Sequence, residues 1–312
     1  MPKTAFLFPG QGSQSVGMGH DFYQEYDFVR EIFEMAEETT RLNLAKLCFK
    51  GPMEDLTATI NLQPAVTAVN LACLAVIVKE GVKPDACAGH SLGEYTALCA
   101  AGVVSQEDAI KLVHRRAELM HREAMKRQGA MHAILGLPIE KITEIVTTVQ
   151  AEGVVSVANH NTELQIVVTG EPEAVDKVSA LAVEQGGKSV PLKVSGAWHS
   201  ALIKGAEDEF TEYLYSFAFN PPQSLLVLNV TADVSMDPIE IQGIMARQLC
   251  SPVKWYDSMC RLKEEAAEIF VEVGPGQVLT GILKKILPRD YPARIFAVNN
   301  MKQLEQFLKE GT

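Results

Sequence analysis

The sequence predicts an α/β protein in which a smaller ferredoxin-like unit is set into a larger one. Three observations carry that reading. Short apolar, strand-like runs alternate with longer helical patterns along the chain, as βα architecture requires. A run of small residues at 85–89 passes through Gly89-His90-Ser91-Leu92-Gly93 directly into a helical pattern. Between about 129 and 195 the order reads β-α-β-β-α-β, the ferredoxin-like arrangement. A chain of 312 residues is long enough for one large α/β domain that holds such an insert. The expected division is 1–128 and 198–312 for the large subdomain and 129–197 for the small one.

Taken in order, Ala5-Phe6-Leu7-Phe8 is a short apolar strand closed by Pro9-Gly10. Residues 25–48 read as helix with intervening loop. Ala65–Lys79 is apolar on nearly every side and reads as a buried helix. A strand over Asp85–Gly89 leads into a helix from Ser91 to about Ala101. Apolar positions then recur at helical spacing from Gln106 to Lys126, with Ser105 as the N-cap. Within the insert, Met131–Leu137, Val154–Asn159, Gln165–Thr169 and Ser189–Val194 read as strands. Ile139–Ala151 and Glu171–Gln185 read as its helices. The chain shows no internal repeat and no low-complexity segment.

Composition narrows the function. Hydrophobic residues make up 47% of the chain and charged ones 21%, ordinary proportions for a soluble globular enzyme. The net charge of −11 repels nucleic acid. No run approaches the ~18 consecutive apolar residues of a membrane span, and the N-terminal apolar run is too short for a signal-peptide core. A cytoplasmic protein is expected. The six cysteines form no C-x-x-C pair and have no histidine at zinc-ligand spacing, so they read as reduced, buried small hydrophobes. No metal site is expected.

Gly89-His90-Ser91-Leu92-Gly93 fits G-x-S-x-G. On a sharp strand-to-helix turn this spacing exposes the serine Oγ, while the flanking glycines let backbones pass closely. Ser91 is therefore the candidate nucleophile. A serine nucleophile needs a base and an oxyanion hole. The N–H of Leu92, at the helix start, is one natural oxyanion donor. The glycine-rich loop Pro9-Gly10-Gln11-Gly12-Ser13-Gln14 lacks the Lys-Ser/Thr of a phosphate-binding loop. It fits better as the source of the second donor, near Gln11. Spacing alone does not choose the base among seven histidines. His114 and His121 lie on a helix, and His90 points away if Ser91 faces the cleft. His199, among small residues in Gly196-Ala197-Trp198-His199-Ser200, sits on a good platform for a catalytic group. On the helix at 106–126, Arg116 falls on the apolar stripe of Ala109, Leu112, Val113, Leu119 and Met120, whereas Arg115 falls on the polar face. A buried arginine is either ion-paired within the structure or a grip for an anionic substrate.

Together, Gly10-Gln11-Gly12-Ser13-Gln14, Gln63-Pro64-Ala65, Gly89-His90-Ser91-Leu92-Gly93-Glu94-Tyr95, Arg116, the His199 segment, Gln248-Leu249 and Gly274-Pro275-Gly276 resemble malonyl-CoA:acyl-carrier-protein transacylases, in the family's order and over nearly the whole chain. The resemblance implies an α/β-hydrolase-like large subdomain with a parallel sheet. It implies Ser91 as nucleophile, His199 as base, Arg116 as the partner of the malonyl carboxylate, and Gln11 and Leu92 as oxyanion-hole donors. Gln248 matches the position whose backbone carbonyl orients the histidine. The implied partners are malonyl-CoA and an acyl carrier protein, reached by ping-pong transfer, with no cofactor and no metal. Fatty-acid biosynthesis is the expected setting. A polyketide or malonate-decarboxylation malonyl transferase and a hydrolase of carrier-bound acyl groups are the alternatives. Trp198 stands where malonyl-selective members usually carry phenylalanine, and Gln277 where many carry a basic residue. Lys284, Lys285, Arg289 and Arg294 form a local basic group that could attract an acidic carrier, with a solvated helix face as the plainer reading.

Overall fold

The computed structural model of the chain describes residues 2–311. Its strands, in chain order, are β1 (Lys3–Phe8), β2 (Ala86–Gly89), β3 (Ala130–Leu135), β4 (Val155–Thr162), β5 (Gln165–Gly170), β6 (Lys188–Pro191), β7 (Leu225–Val227), β8 (Ala267–Val273) and β9 (Arg294–Val298). They form two sheets. The larger is parallel throughout, with strand order β7-β2-β1-β8-β9. The smaller is antiparallel, with order β4-β5-β3-β6 and the β-α-β-β-α-β connectivity expected from the sequence.

β1 is the centre of the parallel sheet, which explains why it reads as an unbroken apolar run rather than an alternating one. Its successive side chains serve opposite faces. Phe6 and Phe8 join a core that includes Val66, Val69 and Cys73 of the helix Thr59–Lys79. Ala5 and Leu7 join the opposite core, with Trp255, Met259 and Phe270. The helix Thr59–Lys79 is long and apolar enough to cross a membrane by composition, yet most of its residues are buried inside the protein. Being covered on all sides, it needs no polar face. The few polar side chains it carries have internal partners: Asn70 Nδ2 donates to the Pro9 carbonyl oxygen at 3.0 Å and so fixes the loop after β1.

The small sheet packs one face against its own helices, Ile139–Val149 and Pro172–Glu184, through Ile134, Ile142, Val146, Val168 and Val175. Met131, Ala133 and Val167 of its other face belong to the main core. A short bridge ties β4 to the large sheet's side: Val253 N–H donates to Ala158 O at 2.8 Å, and His160 N–H to Val253 O at 2.9 Å. The two sheets thus share a core and leave a cleft between β2, β4 and the loop after β1.

Element boundaries differ from the sequence reading in several places. The region 25–48 resolves into helices Asp27–Thr40 and Leu44–Lys50, separated where Arg41 turns left-handed at φ 60°. The apolar helix begins at Thr59 rather than Ala65 and carries Pro64 inside it. The last strand of the insert ends at Pro191; Leu192 N–H still donates to Met131 O at 2.9 Å, and Leu192 and Val194 line the cleft.

The turn after β2 is built on close backbone contact. A Cβ on Gly93 would lie 2.1 Å from the Phe8 carbonyl oxygen, and one on Gly89 would lie 2.1 Å from the Gly93 carbonyl carbon. Gly281, in the helix Val278–Ile286, has nothing within 4 Å of its Cβ position. Gly93→Ala is therefore expected to destabilise the fold by about 3 kcal/mol, because backbone and not a movable side chain is in the way. Gly281→Ala is expected to stabilise it by up to about 1 kcal/mol. Urea midpoints of the two variants check this, and equal shifts would show that the turn tolerates a Cβ.

Candidate active site

β2 delivers the chain into the tight turn Gly89–Gly93, where Ser91 adopts φ 52°. A non-glycine residue in this region costs about 1–3 kcal/mol and persists only where its surroundings enforce it. They do so here through hydrogen bonds. His90 N–H donates to Phe8 O at 2.9 Å, and Gly93 N–H to His90 O at 3.0 Å. Ser91 N–H donates to Asn229 Oδ1 at 2.8 Å, while Asn229 Nδ2 donates to Gly89 O at 2.7 Å. One asparagine side chain thus pins both ends of the bend. His90 turns its ring into the wall, with Nε2 2.9 Å from Asn161 Oδ1.

His199 lies 2.8 Å, Nε2 to Oγ, from Ser91. It too has a positive φ, 59°, and is buried. Ser200 secures its segment, donating from Oγ to Ala197 O and accepting from Leu202 N–H. His199 Nδ1 faces two carbonyl oxygens, Gln248 O at 3.1 Å and Ser251 O at 3.0 Å. Carbonyls only accept, so Nδ1 carries the hydrogen, and Nε2 is left to accept from the Ser91 hydroxyl. Burial, reinforced by the nearby Arg116 charge, lowers the His199 pKa to about 3. The imidazole is therefore neutral at physiological pH.

Arg116 is buried and points from the helix Gln106–Lys126 into the same cluster. Its Nη1 donates to Gln63 Oε1 at 2.6 Å, its Nε to Gln248 Oε1 at 3.2 Å, and its Nη2 to Ser91 Oγ at 3.0 Å. The guanidinium sits 5.8 Å from the Tyr95 ring centroid. No carboxylate among the described residues forms an ion pair with it, whereas Arg115 next to it pairs with Glu118 and Glu209. Of the two readings left open by the sequence, an internal ion pair is not what the geometry displays.

Gln11, Leu92, Ser91 and His199 line one cleft of about 100 Å³, walled by Met120, Met131 and Trp198. Among the described residues, the N–H groups of Gln11 and Leu92 have no hydrogen-bond acceptor. An adjoining cleft of about 240 Å³ shares Gln11, His90 and Asn159 with it and adds Asn161, Gln165 and Ile282.

The sequence reading missed Asn229, Ser251 and the buried carboxylate Glu94, and gave Gln63 no task. Gln248 Nε2 donates to Glu94 Oε2 at 2.6 Å and to Ser91 O at 2.9 Å, and Asn229 N–H donates to Glu94 Oε1 at 2.7 Å. A carboxylate in the otherwise uncharged helix Gly93–Ala100, and an amide in the apolar helix Thr59–Lys79, are signals that could have marked Glu94 and Gln63. Asn229 and Ser251 reach the site on loops and carry no local signal.

These features, a serine on a tight strand-to-helix turn with a neutral histidine on its hydroxyl, define an acyl-transferring enzyme class. The acyl transferase domain family matches residues 5–306. A malonyl CoA-acyl carrier protein transacylase of Bacillus subtilis (strain 168) is 40% identical over 99% of this chain and 98% of that protein. One of Haemophilus influenzae is 38% identical over 99% of this chain and 100% of that protein. The crystal structure of an acyl carrier protein S-malonyltransferase from Vibrio cholerae superposes with a TM-score of 0.92 at 39% identity, covering 97% of this chain and 99% of that one. A malonyl-transacylase solved in complex with a type II PKS acyl-carrier protein gives a TM-score of 0.93 at 36% identity, covering 98% of this chain and 99% of that one. The chain belongs to the acyl transferase family and, within it, to the malonyl CoA-acyl carrier protein transacylases.

The buried histidine has a consequence for stability. An unfolded histidine takes up a proton near pH 6.5, while folded His199 stays neutral down to about 3. Acidification through that window therefore favours the unfolded chain. Between pH 7 and pH 5 the native protein is expected to lose about 2 kcal/mol more unfolding free energy than His199→Asn. Denaturant titrations at the two pH values measure the difference, and equal losses would mean that His199 is protonated in the fold.

Proposed function

We propose that this protein transfers a malonyl group from malonyl-CoA to the phosphopantetheine thiol of an acyl carrier protein, through a malonyl ester on Ser91. The observation that carries the reading is Arg116: a buried guanidinium without an ionic partner, its Nη2 3.0 Å from Ser91 Oγ. An acyl group attached at Ser91 that ends in a carboxylate supplies the missing charge, and a planar fork grips a carboxylate bidentately. A hydrolase of neutral acyl groups has no use for that charge.

In the first half-reaction Ser91 Oγ attacks the thioester carbonyl carbon as its proton passes to His199 Nε2. The oxyanion is held by the free N–H groups of Gln11 and Leu92. Collapse breaks the carbon–sulfur bond, and coenzyme A leaves with the proton from His199. In the second half-reaction the carrier thiol gives its proton to His199 and attacks the ester. Ser91 then recovers its proton as the malonyl thioester departs. Gln248 and Ser251 carbonyls hold Nδ1–H and so keep Nε2 free to accept. Exchange of thioester for ester moves only protons and an acyl group, and the reaction is read as needing no cofactor.

The adjoining cleft suits the pantetheine arm common to both substrates. Asn159, Asn161 and Gln165 offer amide donors and acceptors to its amides, opposite the apolar wall of Leu279 and Ile282. Lys285 is exposed and falls, by helical spacing, on the face of Val278 and Ile282, which line the cleft. The covalent Ser91 ester, formed before the second substrate uses the same cleft, makes the kinetics ping-pong. The expected setting is cytoplasmic fatty-acid biosynthesis. The neighbour solved with a type II PKS carrier favours, as a second reading, transfer to a polyketide carrier.

Intact-mass spectrometry after brief incubation with malonyl-CoA or acetyl-CoA tests the assignment. The native protein is expected to gain a malonyl adduct, and Ser91→Ala none. Persistence of the adduct in Ser91→Ala would overturn the nucleophile. Arg116→Ala is expected to load malonyl about 100-fold more slowly, the loss of a charged hydrogen-bonded pair, with no such loss for acetyl. Equal loss for both acyl groups would make Arg116 a structural residue.

A further inference from the structure

Glu94 is fully buried, second in the helix that follows the nucleophile turn, and no step above uses it. Each of its oxygens accepts one short hydrogen bond: Oε1 from Asn229 N–H at 2.7 Å and Oε2 from Gln248 Nε2 at 2.6 Å. Through these two partners it reaches everything that surrounds Ser91. The Asn229 side chain bridges Ser91 N–H and Gly89 O. The Gln248 side chain accepts from Arg116 Nε at 3.2 Å and from the Tyr95 hydroxyl at 3.3 Å, and its backbone oxygen accepts from His199 Nδ1.

A carboxamide has a donor end and an acceptor end, and Arg116 can use only the acceptor end. Gln248 must therefore turn its NH2 away from Arg116, toward Glu94 Oε2 and Ser91 O. An ionised carboxylate accepts only, so it enforces that orientation; a protonated or amidated one carries hydrogens of its own and does not. Glu94 also supplies a negative charge one amide away from a guanidinium that lacks a direct partner. We propose that Glu94 is a positioning residue for malonyl loading: its ionised carboxylate fixes the direction of the Gln248 amide, and through it the placement of Arg116 and His199 around Ser91. The inference rests on the malonyl-transfer reading and deepens it.

The groups facing Glu94 set where its charge is lost. Burial raises its pKa to about 7, against the opposing pull of the Asn229 and Gln248 donors and the Arg116 charge. Tyr95, on the same helix, is pushed up by burial and stays neutral. His199 and His90 are held down by burial, His199 to about 3, so neither is the first to gain a proton. Glu207 contacts the Gln248–Ser251 loop from the other side, accepting from Cys250 N–H at 2.9 Å, and is ion-paired with Lys204. On acidification from pH 8, Glu94 is thus the first member of the cluster to change charge, and loading falls with it.

The test follows malonyl-Ser91 formation by rapid-quench intact mass from pH 5.5 to 8.5, with malonyl-pantetheine as donor because it lacks the phosphates that titrate in this range. Native protein and Glu94→Gln are compared, with circular dichroism spectra of both. The native rate is expected to rise with pH through about 7, approaching tenfold per unit on the acid side. Glu94→Gln is expected to load roughly 30-fold more slowly at pH 8, and to vary little across the range. An acid limb retained in Glu94→Gln would overturn the proposal. So would a native rate that is flat with pH, which needs no variant to fold. Carbon-13 titration of the glutamate carboxyls in the native protein should find one buried group changing with the loading limb, and its absence would equally overturn the role. No malonyl adduct at any pH in the native protein would instead remove the transferase reading itself.

Discussion

A guanidinium buried beside the Ser91 hydroxyl is the constraint from which the rest of the site follows. Taking Arg116 out of water is tolerable only if its nitrogens find acceptors, and Nε, Nη1 and Nη2 each donate to a neutral one. Those acceptors are Gln63, from an otherwise apolar core helix, Gln248, from a loop, and Ser91 itself. The charge also decides how the histidine is oriented. An aspartate on Nδ1, as in a serine–histidine–aspartate arrangement, would place a permanent anion within reach of Arg116 and compete with the substrate carboxylate for it. Two backbone carbonyls hold the ring without a formal charge; they favour the protonated ring, but burial and the Arg116 charge outweigh them and keep the imidazole neutral to low pH.

The scaffold makes this arrangement rigid by bringing backbones closer than any side chain would permit. Gly93 passes the end of β1 and Gly89 passes Gly93, so the nucleophile turn and the loop bearing Gln11 share one contact surface. Asn70 clamps that loop from the core helix, and Asn229 clamps the turn. The wall opposite comes from the small sheet, whose Met131 packs into the main core, and from Trp198. A cleft of about 100 Å³ between these walls has room for only a few heavy atoms beside Ser91.

Much of this was legible in the sequence, for physical reasons that differ by element. The helix Gln106–Lys126 was readable to the residue because its cap, Ser105, and its apolar period agree, and that period alone placed Arg116 on the buried face. Ser91 was readable because a strained turn needs glycine on either side. His199 could not be chosen among the histidines by spacing, since partners in a site come from anywhere in the chain; it was the family resemblance that singled it out. The Ser251 carbonyl left no trace, because every residue has a carbonyl. Asn229 is one loop asparagine among others until the fold brings it to the turn. Pro64 was misleading in the opposite sense. Read locally it precedes a helix, but burial on all sides carries the helix through it to Thr59, against the loss of one hydrogen bond.

One consequence of a charge-centred site concerns the two large substrates. Coenzyme A and a carrier protein differ in nearly everything except the pantetheine arm and the acyl group, and in the proposed reading the two clefts meet only these shared parts. On the proposed mechanism, selection by Arg116 falls on the acyl group and is used once, when the ester forms; the carrier then receives whatever Ser91 holds. Recognition of the carrier is left to the outer surface. With a net charge of −11 that surface repels an acidic partner on average, so approach must depend on local cations such as Lys284 and Lys285 in the last turn of their helix. The proposed mechanism thereby separates fidelity and docking in space: the interior reads the acyl charge, and the rim reads the partner.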